Sequence, residues 1–159
     1  MKNYFIIITI LISVLANAQC DIKINNRPDG NTIKYFNPKP VIRQSNYEVA
    51  TAIYKNVTAD RYTVSISVLF MGINPMDVTG DLTIQTSSQK SIVLKLINSN
   101  KIKMNGRELT VALFDLDNSS KKNLEKNYLK SLFFKMNGKI FGATVTENKS
   151  ILINELNCL

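Results

Sequence analysis

The sequence predicts a mainly β domain, an antiparallel β-sandwich-like fold (or a related α+β sheet), with one short helix near residues 119–131 and a C-terminal helix. Three observations carry this. First, in residues 62–70 Tyr62, Val64, Ile66, Val68 and Phe70 occupy alternate positions, with Thr63, Ser65 and Ser67 between them. A strand sends alternate side chains to opposite faces, so five large apolar groups share one side. These β-branched and aromatic types suit a pleated surface, and the stretch reads as a central strand. Second, similar segments recur at hairpin spacing, and the pairs Asn105-Gly106 and Asn137-Gly138 favour tight primed turns. Third, the period changes after residue 118. Leu124, Tyr128 and Leu132 stand four apart, as on one stripe of a helix.

Taken in order, residues 19–46 read as irregular and polar. Arg27-Pro28-Asp29-Gly30 is a turn signal, residues 32–36 a short strand, and Pro38 and Pro40 limit residues 41–43 to an edge piece. Residues 47–54 alternate and join 62–70 as a hairpin through 56–60. Gly72, Pro75 and Gly80 mark a longer loop. Residues 82–86 resume the alternation, 87–89 turn, and 91–97 form a strand with Ile92, Leu94 and Leu96 on one face. Residues 109–116 are apolar on both faces, which predicts cover on both. Ser119-Ser120 is a candidate helix start. Residues 132–136 and 140–145 form a hairpin, and Thr144 to Glu147 fits a capping box. A last helix places Leu152, Leu156 and Leu159 together, although Ile151 and Ile153 also allow a strand. The expectation is seven or eight strands and two short helices.

Residues 1–18 read as a signal peptide: Lys2, an uncharged apolar run over 4–16, and the small-x-small site Ala16-Asn17-Ala18. The run is short for a transmembrane helix, which needs about 20 residues. Residues 19–159 are then a single globular domain, secreted or periplasmic. Its two cysteines, Cys20 and Cys158, stand at its ends, and an oxidising compartment favours their one possible intramolecular disulfide. Closing so long a loop stabilises by up to about 5 kcal/mol in the chain-entropy picture. Lipidation of Cys20 is the competing reading. It is weakened by Gln19, where a small residue is required, and by Asn17, where an aliphatic one is usual.

The formal charge is +8, and +7 once Lys2 is removed with the leader. The cations from Lys90 to Lys149 are dispersed, and the longest basic run is Lys121-Lys122. That argues against a nucleic-acid footprint, which needs a stripe or patch. It leaves a protein or an anionic envelope component as the expected partner.

The chain resembles small uncharacterised secreted proteins of the Bacteroidota. The resemblance lies in the Ala18-Gln19-Cys20 start, the polar segment from Asp29 to Tyr35, and a strand–turn–strand–helix end finishing in Asn157-Cys158-Leu159. It implies export and the architecture above. It assigns no activity and no site residues.

The chain has no histidine, which removes the commonest general base, the Ser-His and Cys-His pairs and most zinc sites. Ser-x-x-Lys occurs twice, as Ser87 with Lys90 and Ser119 with Lys122, and neither has the supporting motifs of a Ser-Lys enzyme. Asp115, Asp117 and Asn118 group oxygen ligands but lack the remainder of a calcium loop, and helix capping explains them equally. Asp77 and Asp81 flank a loop glycine and say less. Asn56, Asn118 and Asn148 head glycosylation sequons that read as polar loops. There is no tryptophan; Tyr35, Phe36, Tyr47 and Tyr54 remain as an aromatic surface, with at least half of them expected in the core. No catalytic, metal or cofactor residue is therefore assigned. The expected function is a non-catalytic binding module. The alternative is a small hydrolase using a Ser-Lys pair or a carboxylate site.

Overall fold

A computed structural model describes residues 20–159; the signal-peptide reading falls outside them. Eleven strands and two helices follow in order: β1 (Lys23–Asn26), β2 (Thr32–Tyr35), β3 (Lys39–Arg43), β4 (Tyr47–Asn56), β5 (Arg61–Phe70), β6 (Leu82–Thr86), β7 (Ser91–Leu94), β8 (Leu96–Met104), β9 (Arg107–Leu116), α1 (Asn118–Leu124), β10 (Leu129–Met136), β11 (Lys139–Thr144) and α2 (Ile151–Leu156). The seven-stranded sheet runs β1-β2-β4-β5-β9-β8, with β3 also on β4, and the four-stranded sheet runs β11-β10-β6-β7. Every strand pair is antiparallel.

The predicted central strand is central. β5 lies between β4 and β9, and Val64, Ile66 and Val68 are fully buried. They meet Leu82, Ile84, Leu132, Phe134 and Met136 of the small sheet in one core, with Tyr62 and Phe70 packed at its margin. The β4–β5 hairpin pairs from Tyr47↔Phe70 to Asn56↔Arg61 without a shift. Both Asn-Gly pairs make left-handed turns, with φ of 50° and 76° at Asn105 and Gly106 and 47° and 77° at Asn137 and Gly138, as a primed hairpin turn requires.

Several expectations need correction. The count of seven or eight strands is too low. β1 lies in the stretch expected to be irregular: Lys23-Ile24-Asn25-Asn26 is exposed throughout, so no buried face imposes alternation on its sequence. Residues 91–97 are not one strand: β7 ends at Leu94 in the small sheet and β8 begins at Leu96 in the large one. Asp81 holds the crossover, accepting from Lys95 Nζ at 2.6 Å and from Leu96 N at 3.2 Å. The helix near 119–131 stops at Leu124. Leu132 belongs to β10 and Tyr128 is exposed, so their spacing of four is not a helical stripe. The cap of α1 is Asp117 rather than the serines; its Oδ1 accepts from Ser119 N (2.8 Å) and Ser120 N (2.9 Å). The Thr144–Glu147 capping box does not form, because Thr144 ends β11 and Glu147 pairs with Arg43. The C-terminal helix is present and buries Ile151, Leu152 and Leu156, which removes the strand alternative.

The two ends of the described segment meet, and the expected disulfide is present. Cys20 and Cys158 form a disulfide with Cα atoms 5.9 Å apart across 138 positions of sequence, within the ordinary range of such bridges. None of the helices among the described residues is long and apolar enough to cross a membrane.

Candidate functional site: the concave face of the large sheet

The two faces of the large sheet differ in kind. One packs on the small sheet. The register defines the other in cross-strand rows: Tyr54, Thr63 and Asp115; Ala52, Ser65 and Leu113; Ala50, Ser67 and Val111; Glu48, Leu69 and Leu109. Four small side chains, Ala50, Ala52, Ser65 and Ser67, form the floor in the middle strands. Larger groups stand on either side. β2 adds Tyr35 opposite Tyr54, and β8 adds Ile102 opposite Leu109.

This face is hollow. Six strands at about 4.8 Å spacing put β1 and β8 about 24 Å apart in a flat sheet. Yet Asn25 and Arg27, at the β1 end, and Ile97 of β8 line a single hollow of about 540 Å³, together with Ile33, Tyr35, Tyr54, Asn56, Arg61, Thr63 and Leu113. The sheet must therefore curl its edges together, as a half-barrel does. A second hollow of about 440 Å³ lies further along the same face, between Pro38, Ala50, Ser67, Leu69, Met104, Arg107 and Leu109.

Local chemistry follows from the strands. Tyr35 and Tyr54 are a cross-strand pair, and their rings stack with centroids 5.3 Å apart and an 11° interplanar angle. Burial, with a smaller push from Tyr35, raises the Tyr54 phenol above its ordinary pKa, so it is held neutral. Ser65 Oγ is buried in the floor without a hydrogen bond of good geometry, yet it lies near enough to Tyr54 to ease that phenol's ionisation slightly. On β8 a register shift between Leu96 and Asn98 turns Ile97 towards the hollow, as bulges commonly re-aim a side chain. Ile97, Ile102 and Met104 are 51%, 43% and 57% exposed, an apolar rim along the concave side of one edge strand. At the Arg27 end the lining carries two guanidinium groups and no carboxylate. Arg61 Nη2 reaches Asp115 Oδ1 at 2.9 Å, while Arg27 has no ion-pair partner among the described residues.

The aromatic set divides as expected. Tyr35 and Tyr54 line the hollow, whereas Phe36 and Tyr47 are buried. The other candidates do not converge. Ser87 stands beside the β6–β7 turn, its Oγ on Asn127 Oδ1 at 3.3 Å. Ser119 is in the first turn of α1, with its amide on the Asp117 cap. Asp115 faces Arg61 and Asp117 caps α1, so the two carboxylates serve different protein donors. Among the described residues no group of three or more metal-ligating acidic or cysteine side chains is gathered.

Sequence reasoning missed Arg27, Arg61, Ile97 and the small-residue floor as a site. One signal was present: Leu109, Val111 and Leu113 make the second face of β9 apolar, and that is the face lining the hollows. Compared with family models, curated proteins and solved structures, the chain matches none.

Proposed function

We propose that the protein is a non-catalytic binding module, secreted or periplasmic, that takes an anionic envelope component on the concave face of its large sheet. The observation that carries this reading is the curled face itself: a small-residue floor, an apolar rim and two guanidinium groups at one end, one of them on Asp115 and the other without an ion-pair partner among the described residues. Ligand sites are typically concave and mostly apolar with a few placed polar groups. The Cys20–Cys158 bridge supports an oxidising compartment, and the net charge of +8 over the whole chain supports an anionic partner. The rival hydrolase reading has less behind it, since neither Ser-x-x-Lys serine faces a hollow of this sheet.

Co-sedimentation with vesicles tests the proposal. The mature protein should bind phosphatidylglycerol vesicles more strongly than phosphatidylcholine vesicles, and less strongly as salt rises. Ser67→Trp, which fills the floor, should weaken binding, while Ser87→Ala and Ser119→Ala should not. Equal binding to both vesicles, or indifference to Ser67→Trp, counts against it. Turnover of an ester, peptide or glycan that disappears in either serine variant overturns it.

A further inference from the structure

Each end of the concave face carries charge. At the far end, the second hollow includes Arg107 and Glu48, whose carboxylate pairs with Arg43. At the near end, Arg27 and Arg61 line the hollow, with Asp115 of the same face beside Arg61 and Arg27 without an ion-pair partner among the described residues. Arg61 has only one guanidinium nitrogen on Asp115 and keeps further donors free. Guanidinium groups bind carboxylate and phosphate oxygens with paired, directional hydrogen bonds. Directly beyond them the surface turns apolar, through the stacked Tyr35–Tyr54 rings, Leu113 and Ile97. Ile97 is half exposed although a register shift aims it inward, so its apolar surface is left for something else to cover.

From this arrangement we propose that the hollow binds a single-chain anionic amphiphile. Its anionic head sits on Arg27 and Arg61, and its chain runs over Leu113 and Ile97. This rests on the reading of the concave face as the binding surface, and it adds the ligand's class and the side chains that take its head. No covalent step is involved.

Calorimetric titration with dodecanoate and with dodecanol tests the proposal on the mature, disulfide-closed protein. Dodecanoate should bind saturably at one-to-one stoichiometry, about tenfold or more tighter than the alcohol, the difference expected of charge-assisted hydrogen bonds. Arg27→Ala with Arg61→Ala should bring dodecanoate down to the level of the alcohol. Both side chains are exposed, so circular dichroism of that variant should match the parent. Ile97→Asp should weaken both ligands. Equal affinity for acid and alcohol overturns the proposal, as does dodecanoate binding unchanged by the double arginine replacement. A dimer seen by light scattering that Ile97→Asp dissociates and dodecanoate does not would assign the hollow to a second copy and overturn it too. Binding to phosphatidylglycerol vesicles that survives either failure would leave the broader reading standing, whereas loss of vesicle binding would remove that reading itself.

Discussion

Glu155 is the residue whose position is least expected from its chemistry. It is buried at 3% exposure on α2, and its Oε2 accepts from Ile53 N at 2.6 Å. The reason lies in the edge of β4. β3 pairs with β4 at residues 48–51 and β2 at residues 54–56, so Ile53 falls in the gap between them. A buried amide without a partner is costly, and the carboxyl supplies one. The other oxygen, Oε1, is buried without a partner. Burial pushes the Glu155 pKa up to about 7, with the Ile53 amide and Lys39 pulling the other way. A raised folded-state value means that the neutral form stabilises the protein below the unfolded value. That stability is lost as pH rises from about 4.5 through about 7. The loss is on the order of 3 kcal/mol. Thermal melts from pH 5 to 8 should show this decline in the parent and a flatter profile in Glu155→Gln. Parallel profiles would mean that Glu155 does not control it.

At the scale of elements, two short features decide where the chain turns. Asp117 caps α1 with two amide hydrogen bonds, and these amide contacts with Ser120 and Ser119 hold its carboxyl below the ordinary range. Asp117→Ala should cost about 1 kcal/mol in urea unfolding, the usual value of an N-cap; no change would mean that the serines replace it. Gly142 in β11 has φ of 135°, and a Cβ there would stand 1.9 Å from Leu132 O of the neighbouring strand. Gly142→Ala should therefore destabilise by about 3 kcal/mol or more, as a strained backbone position with a steric clash does. Gly138 has open space around it, so Gly138→Ala should cost only about 1 kcal/mol, from its left-handed φ. Equal effects of the two substitutions would remove the packing argument for Gly142.

For the whole molecule, the disulfide and the central strand β5 hold the fold in different ways. The bridge joins the start of the described chain to the residue after next beyond α2. Its loss in Cys20→Ser with Cys158→Ser should lower unfolding free energy by up to about 5 kcal/mol, read by urea titration. Unchanged stability would mean that the ends are held by packing alone. β5 is flanked on both edges and buried on one face, so its amides from Val64 to Val68 should be among the last to exchange with deuterium. Exchange there as fast as in exposed β1 would contradict the two-sheet core.

The alternation at residues 62–70, the Asn-Gly turns and the paired terminal cysteines were legible in the sequence because each is a local or strictly combinatorial signal. A half-buried strand must alternate, a primed turn needs left-handed residues, and two cysteines have one intramolecular pairing. The boundary between β7 and β8 was not legible, because continuous apolar spacing across Lys95 does not reveal that the chain changes sheets there. The spacing of Leu124, Tyr128 and Leu132 extended the expected helix to residue 131, although residues 132–136 were legible as strand; α1 ends at Leu124 and β10 already begins at Leu129. The concave face was hidden for a stronger reason. Tyr54, Arg61, Ile97 and Leu113 come from four different strands and Arg27 from the turn after β1, and they have no common period. Only the curl of the sheet brings β1 and β8 to one hollow, and curl arises from long-range pairing and packing that no local stretch of sequence contains.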